Sequence, residues 1–161
     1  MTTLYRLRSE PAGTVYERFL RYLLLKERAF GLVWREQLRF TEDAKNFGQL
    51  LTPFRIAHRR TDHWPGTKLI GHYAIVETYR CDMAVLPILS APGRLIAWLQ
   101  PKYPEDLHFV SKTGFPSLIT VAHDEDAWIA SREVARGVSQ LIPLEKEALG
   151  HEDHKIFGLE A

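Results

Sequence analysis

The fold is decided by residues 105–124, which read EDLHFVSKTGFPSLITVAHD. Two mainly apolar runs, 106–110 and 117–122, flank a polar loop of four or five residues that contains Gly114. Two short strands separated by such a loop are typical of a β-hairpin. Pro116 has no backbone N–H to give to a ladder, so we expect it at the start of the second strand or on an open edge.

The hairpin also predicts where titratable side chains meet. In an antiparallel pair the start of one strand lies beside the end of the other, so Glu105 and Asp106 are expected near His123 and Asp124. A histidine held against carboxylates can act as a general acid or base, and it can also join a carboxylate–histidine metal site. The alternative is structural: acids at strand ends cap turns, and His123 makes one satisfied hydrogen bond. These four residues are the candidate catalytic residues.

Outward from the hairpin, hydrophobic periodicity predicts the other elements. A helix is expected to begin at Thr14, with Glu17 at capping-box spacing, and to include Phe30 before Gly31 ends it. Residues 32–40 alternate with a period of two, as a half-buried strand does. Further strands are expected at 67–80, 94–99 and 127–130. Further helices are expected from Thr41 through Leu51 and from Ser131 through Leu141, with a last turn or two at 144–149.

The strands follow one another without a regularly alternating helix, which favours an α+β fold over a doubly wound one. We expect a mainly antiparallel sheet with helices packed on one face, formed by residues 1–150 as a single domain. Residues 151–161 are expected to be a polar C-terminal tail. His151 and His154 in that tail stand three apart, unlike the four-residue spacing of a His-Glu-x-x-His zinc motif, so we interpret them as solvated.

Composition limits the functional classes. The chain has 161 residues, of which 45% are hydrophobic and 25% charged, close to globular averages. Lys and Arg number 21 against 20 Asp and Glu, so a formal net charge of +1 gives no global field for nucleic acid or an anionic membrane. No apolar run approaches the roughly 18 residues of a spanning helix, and the N-terminus lacks a signal-peptide core. These features predict a soluble, cytoplasmic protein.

Cys81 is the single cysteine. It excludes an intrachain disulfide and every cysteine-rich zinc pattern, and it fits a reducing compartment. We interpret it as a small buried hydrophobe at the end of a strand, with no local motif that makes it a nucleophile.

Residues 55–67, which read RIAHRRTDHWPGT, form the most unusual stretch. The simplest interpretation is a long surface connection that closes in a Pro-Gly turn. A second interpretation is a partner-binding loop, because Arg and Trp are favoured at interface hot spots; its residues are Arg59, Arg60, His63 and Trp64. A third interpretation is a nucleic-acid-binding loop, in which the arginines contact phosphate and the tryptophan stacks on a base. The near-zero net charge of the chain argues against it.

Common catalytic signatures are missing from the sequence. It contains no Gly-x-Gly-x-x-Gly, Walker loop, Gly-x-Ser-x-Gly elbow or Ca²⁺ loop. We therefore expect a non-enzymatic protein-binding domain, with a toxin-neutralising (immunity-type) protein as one concrete form by fold-level analogy. The alternative is a small metal- or acid/base-dependent enzyme centred on the Glu/Asp/His cluster. No cofactor and no resident metal are predicted, and a homodimer stays open.

Overall fold

An eight-stranded antiparallel sheet runs through the chain in a computed structural model that describes residues 3–159. The strand order is β10-β1-β9-β8-β7-β2-β6-β3, and β4 and β5 form a separate small hairpin. The strands are β1 (Thr3–Leu7), β2 (Ala29–Arg35), β3 (Arg55–Thr61), β4 (His63–Trp64), β5 (Thr67–Lys68), β6 (Ala74–Arg80), β7 (Glu105–Val110), β8 (Pro116–Val121), β9 (Asp126–Ile129) and β10 (Leu144–Ala148). The helices are α1 (Gly13–Lys26), α2 (Glu42–Leu51), α3 (Leu86–Ser90), α4 (Arg132–Val138) and α5 (His151–Ile156).

The main core lies between one face of this sheet and helices α1 to α4. Phe19 and Leu23 of α1 are fully buried in the same cluster as Phe30, Tyr79 and Phe109 of the sheet. Each such side chain contributes roughly 1.5–3 kcal/mol through burial, and Phe30 stacks on Tyr79 with ring centroids 5.2 Å apart. The α+β class with a mainly antiparallel sheet is thereby confirmed, and α1 to α4 pack on one face as predicted.

The central hairpin forms as predicted. Strands β7 and β8 pair with Phe109 opposite Leu118, and the Ser111 N–H donates to the Phe115 carbonyl at 2.9 Å to close the loop. Pro116 is the first residue of β8. Two predicted helix starts are confirmed as well, because the Thr41 hydroxyl accepts from the Ala44 N–H at the start of α2, and Ser131 caps α4 in the same manner.

The first helix differs from its prediction at both ends. It begins at Gly13 after an Ala12 cap that supplies no side-chain hydrogen bond, so Thr14 is inside the helix and makes no capping box. It ends at Lys26, and Phe30 belongs to β2, where it pairs with Tyr79. A longer helix or a strand would each bury Phe30. Its pairing with Tyr79 in the β2–β6 ladder places it in the strand. Strand β2 stops at Arg35, short of the predicted end at residue 40.

Two short segments differ from their predicted secondary structure. Residues 94–99 are not a strand; they contain a single 3-10 turn. Two hydrogen bonds fix this turn: the Leu95 N–H donates to the Pro11 carbonyl, and the buried Trp98 indole N–H donates to the Tyr16 hydroxyl at 2.8 Å. Residues 144–149 are not helical, because β10 pairs along the whole of β1. The predicted strand 67–80 is interrupted between β5 and β6.

The C-terminal segment, expected to be a polar tail, contains α5. Residues 160–161 and the side chain of His151, which was expected to be solvated, lie outside the described part. The Phe157 ring packs edge-on against Trp128, with centroids 5.2 Å apart. The Gly66 N–H of the β4–β5 turn donates to the Ile156 carbonyl at 2.9 Å. These contacts put α5 beside the β4–β5 hairpin.

Cys81 follows directly after β6 and is half-buried against the main core, as its small-hydrophobe interpretation requires. Burial raises the pKa of its thiol to about 12, with the Glu27 charge adding to the effect, so the thiolate needed for nucleophilic attack is scarce. Among residues 3–159, no helix combines the length and apolar character that crossing a membrane requires.

Candidate functional site

A β-bulge at the start of β7 places two carboxylates side by side in the sheet. Gly31 lies opposite His108 and Val33 lies opposite Glu105, so β7 carries one more residue than β2 over this interval. Asp106 adopts a left-handed φ of 54° inside the bulge. Bulges of this kind re-aim side chains, and here they leave two adjacent carboxylates buried, Glu105 at 0% exposure and Asp106 at 2%.

Glu105 is held by two nitrogen-bearing side chains from other strands and turns. Its Oε2 lies 3.4 Å from Nη1 of Arg35, and its Oε1 lies 3.0 Å from Nε2 of His123. The same His123 Nε2 lies 3.1 Å from Nη1 of Arg35. A protonated Nε2 donates to Glu105, whereas an unprotonated Nε2 accepts from Arg35. The tautomer of His123 therefore decides which of these two contacts is a hydrogen bond.

Asp106 has a different environment. Its Oδ2 accepts from the Trp64 indole N–H and its Oδ1 accepts from the Ala122 N–H, both at 2.8 Å. Burial raises the pKa of Asp106 to about 6, although these two donors act in the opposite direction. The carboxyl ties the β4–β5 hairpin to the end of β8. Because both acids are shielded from solvent, His123, whose side chain is half-exposed, is the member of the cluster that a dissolved molecule can reach.

The structure brings together three of the four predicted catalytic residues: Glu105, Asp106 and His123. Asp124 is exposed, and within residues 3–159 it has no ion pair or side-chain hydrogen bond. No group of three or more His, Cys, Asp or Glu side chains in the described part of the chain is arranged to hold a metal ion. The cluster is thus an ion-paired carboxylate–histidine unit.

The predicted partner-binding residues lie in different surroundings. Residues 55–61 form strand β3, which corrects the prediction of an irregular connection, and the register with β6 from Ala57 to Thr61 is the reason. Trp64 is only 2% exposed and packs with Val33 and Val76, so it cannot stack on a base or enter a partner's pocket. This corrects its assignment to a binding surface.

The other three predicted partner-binding residues are exposed. Arg60 is committed to Glu36 through two hydrogen bonds of 2.6 and 3.1 Å, and its guanidinium lies 4.0 Å from the Tyr73 ring centroid. His63 Nδ1 lies 2.7 Å from the Asp62 carboxylate. Arg59 has no ion pair within residues 3–159, which leaves its charge available.

Sequence reasoning missed Arg35, His108 and Gly31. The two-residue period does place Arg35 on the same face as Val33, but nothing in the sequence indicates that a bulge would bring Glu105 to it. His108 stands inside an otherwise apolar strand, and that contrast was a usable signal for a buried histidine. The sequence predicts Gly31 as the end of a helix, but in the structure it leaves room for the His108 ring, since a Cβ at residue 31 would lie 2.2 Å from His108 Nε2.

Comparisons with protein-family models, with curated proteins and with solved structures found nothing that matches this chain. Its function is therefore inferred from its own residues.

Proposed function

We propose that this chain is a non-enzymatic protein-binding domain that receives an extended, acidic segment of a partner along strand β3. The carrying observation is that β3 ends the sheet order, and six of its seven residues are exposed. An edge strand offers unpaired N–H and C=O groups, and an extended peptide can add to it as a further strand.

The charge of β3 supports an acidic occupant. The strand carries Arg55, His58, Arg59 and Arg60, and it contains no acidic residue. Arg60 is neutralised by Glu36, and Arg55 lies 3.5 Å from Glu77. His58 and Arg59 have no ion pair within residues 3–159, so they remain to contact carboxylates of an added strand.

The regular part of β3 is long enough to pair with one short added strand. The register shifts between Arg55 and Ala57, so Ile56 is an extra residue at a bulge, and regular pairing extends from Ala57 to Thr61. Five residues are about the usual length of a strand. Ile56 is 50% exposed and adds apolar area at the bulge.

The same charges disfavour a homodimer built through this edge. Two copies of β3 side by side would place arginines opposite arginines, and like charges directly opposed across a ladder are destabilising. A second copy is therefore an outcome of the test below that would contradict the acidic partner. A toxin-neutralising role in the cytoplasm is the concrete form we favour, supported by the small α+β fold and the lone cysteine.

A matched pair of variants tests this function. His58→Glu combined with Arg59→Glu cancels the net positive charge of β3, while Lys146→Glu changes an exposed residue in the middle of β10, the strand at the opposite edge. We expect a partner captured from the source cells by the wild type to be retained by Lys146→Glu and lost by the double variant. The captured partner should slow hydrogen exchange at the β3 amides. Equal capture by all three proteins, or a partner that is a second copy of the chain, would contradict the proposal.

A second candidate, acid–base catalysis, is favoured by the 3.0 Å contact between His123 and Glu105. In this reading His123 transfers a proton, while Glu105 and Arg35 position its ring. A reaction catalysed by the purified protein should then be lost in His123→Gln and unchanged in the β3 double variant. Turnover that survives His123→Gln would remove this candidate. Its metal-dependent form additionally requires saturable binding of a divalent ion that His123→Gln abolishes.

A further inference from the structure

A separate cavity of about 250 Å³ lies on the sheet face opposite the main core. Its floor is formed by β6 and β7, and its sides by β3, by the β4–β5 hairpin and by α5. Ligand pockets for drug-sized molecules span roughly 300–1,000 Å³. The cavity therefore suits a smaller molecule of a few heavy atoms.

The charged groups around this cavity have one sign. Arg59 reaches it from β3 and Lys155 from α5, and neither has an ion pair within residues 3–159. His63 also lines the cavity, and none of the described lining residues is acidic. Two available cations and no carboxylate favour an anionic occupant, although the whole chain is close to neutral.

His108 gives the cavity a buried hydrogen-bond acceptor. The side chain is 4% exposed and lies over Gly31. Its Nδ1 lies 2.9 Å from the Asp106 carbonyl oxygen, which can only accept, so Nδ1 carries the proton. Burial lowers the pKa of His108 to about 4, and the ring is neutral at neutral pH.

The second ring nitrogen is therefore left as a lone-pair acceptor. Nε2 of His108 has no hydrogen-bond partner within the described residues. His108 lines the cavity, where water can donate to Nε2, and an occupant that displaces such a water without replacing its hydrogen bond loses affinity. The occupant should therefore carry an O–H as well as a negative charge.

We propose that this cavity binds a small anion that also bears a hydroxyl group, with Arg59 and Lys155 facing the charge and His108 accepting from the hydroxyl. Protonated phosphate and small 2-hydroxycarboxylates share this chemistry. The site does not depend on the partner-binding role of β3, although Arg59 belongs to both.

Matched anion pairs test the proposal by calorimetry or NMR titration of the full chain at neutral pH. Phosphate carries an O–H that sulfate lacks, and lactate carries one that propionate lacks. We expect at least one hydroxylated anion to bind saturably and about tenfold or more tighter than its matched partner. The pair that shows the preference distinguishes a phosphate site from a hydroxycarboxylate site.

Variants separate the contributions of the lining residues. Arg59→Ala and Lys155→Ala should each weaken binding, whereas Arg18→Ala, an exposed arginine of α1, should leave it unchanged. His108→Leu should remove the preference for the hydroxylated anion, and the two surface variants keep the test valid if that protein does not fold. Absent saturable binding, equal binding within both pairs, or an equal loss in Arg18→Ala would overturn the proposal. Lys146→Glu, on the strand at the opposite edge of the sheet, should not change anion binding.

Discussion

The bulge of β7 and the edge strand β3 hold the two largest groups of charged side chains that the sequence singles out, and their environments are opposite. At the bulge, Glu105 and Asp106 are buried and every carboxylate oxygen has a partner. On β3, the side chains are exposed and two basic ones have no ion pair within residues 3–159. Buried and satisfied charges support the fold, whereas exposed and unpaired ones are available to a partner. Changes at the bulge should therefore alter stability, and changes on β3 should alter binding.

Removal of Glu105 should have the largest effect on stability. Glu105→Ala leaves the partly buried Arg35 guanidinium without its carboxylate, and breaking a buried ion pair on one side costs about 3–5 kcal/mol. Urea unfolding followed by circular dichroism measures the loss. Asp124→Ala, which changes the exposed last residue of the 3-10 turn between β8 and β9, should stay within about 0.5 kcal/mol of the wild type. Equal losses of stability in Glu105→Ala and Asp124→Ala would contradict the difference between buried, paired charges and exposed, unpaired ones.

His108 should make stability depend on pH in the acidic range. Its folded pKa is lowered from 6.5 to about 4, so the unfolded chain binds the proton that the folded ring resists. Its contribution is complete above pH 6.5 and is lost as pH falls toward 4, by on the order of 3 kcal/mol. The free energy of unfolding of the wild type relative to His108→Gln should therefore rise between pH 4 and 6.5. A pH-independent difference would show that the ring is not held neutral.

Asp106 should produce the opposite slope. Its folded pKa is raised from 3.8 to about 6, so the folded carboxyl keeps a proton that the unfolded one releases. Its contribution is complete below pH 3.8 and is lost as pH rises through 6, by on the order of 3 kcal/mol. The stability of the wild type relative to Asp106→Asn should therefore fall between pH 4 and 6. A difference that rises over the same range would mean that the Trp64 and Ala122 donors outweigh burial.

The smallest stability effect is expected on β3. Arg59→Glu changes an exposed side chain without an ion pair in the described residues, so the free energy of unfolding should move by less than about 0.5 kcal/mol. Binding of the acidic segment should nevertheless be strongly reduced. A large loss of stability in Arg59→Glu would show that Arg59 stabilises the fold, as the buried charges of the β7 bulge do. It would contradict the contrast between these two regions.

Local rules predicted the parts of this fold that depend on neighbouring residues. The β7–β8 hairpin, the Thr41 and Ser131 caps and the meeting of Glu105 with His123 follow from loop length, hydroxyl spacing and antiparallel geometry. Elements decided by distant pairing were not predictable in this way. Strand β10 exists because β1 lies beside it, and β3 exists because β6 does.

The composition of the candidate site shows the same division. Sequence spacing indicated its carboxylates and His123, but Arg35 arrives only through the register of β2 with β7 and the bulge between them. The arginine-rich stretch around Trp64 predicts a surface position for its side chain. Its indole is instead buried by Val33 and Val76, which come from two other strands.

Site-specific photo-crosslinking tests the central claim most directly. A photoreactive amino acid replaces Ala57 on β3 in one protein and Lys146 on β10 in another, and the crosslinked peptides from the source cells are sequenced. We predict that position 57 captures an acidic segment of a different protein and that position 146 does not. Equal crosslinking at both edges, or a basic or self-derived segment at position 57, would contradict a partner-binding role for β3.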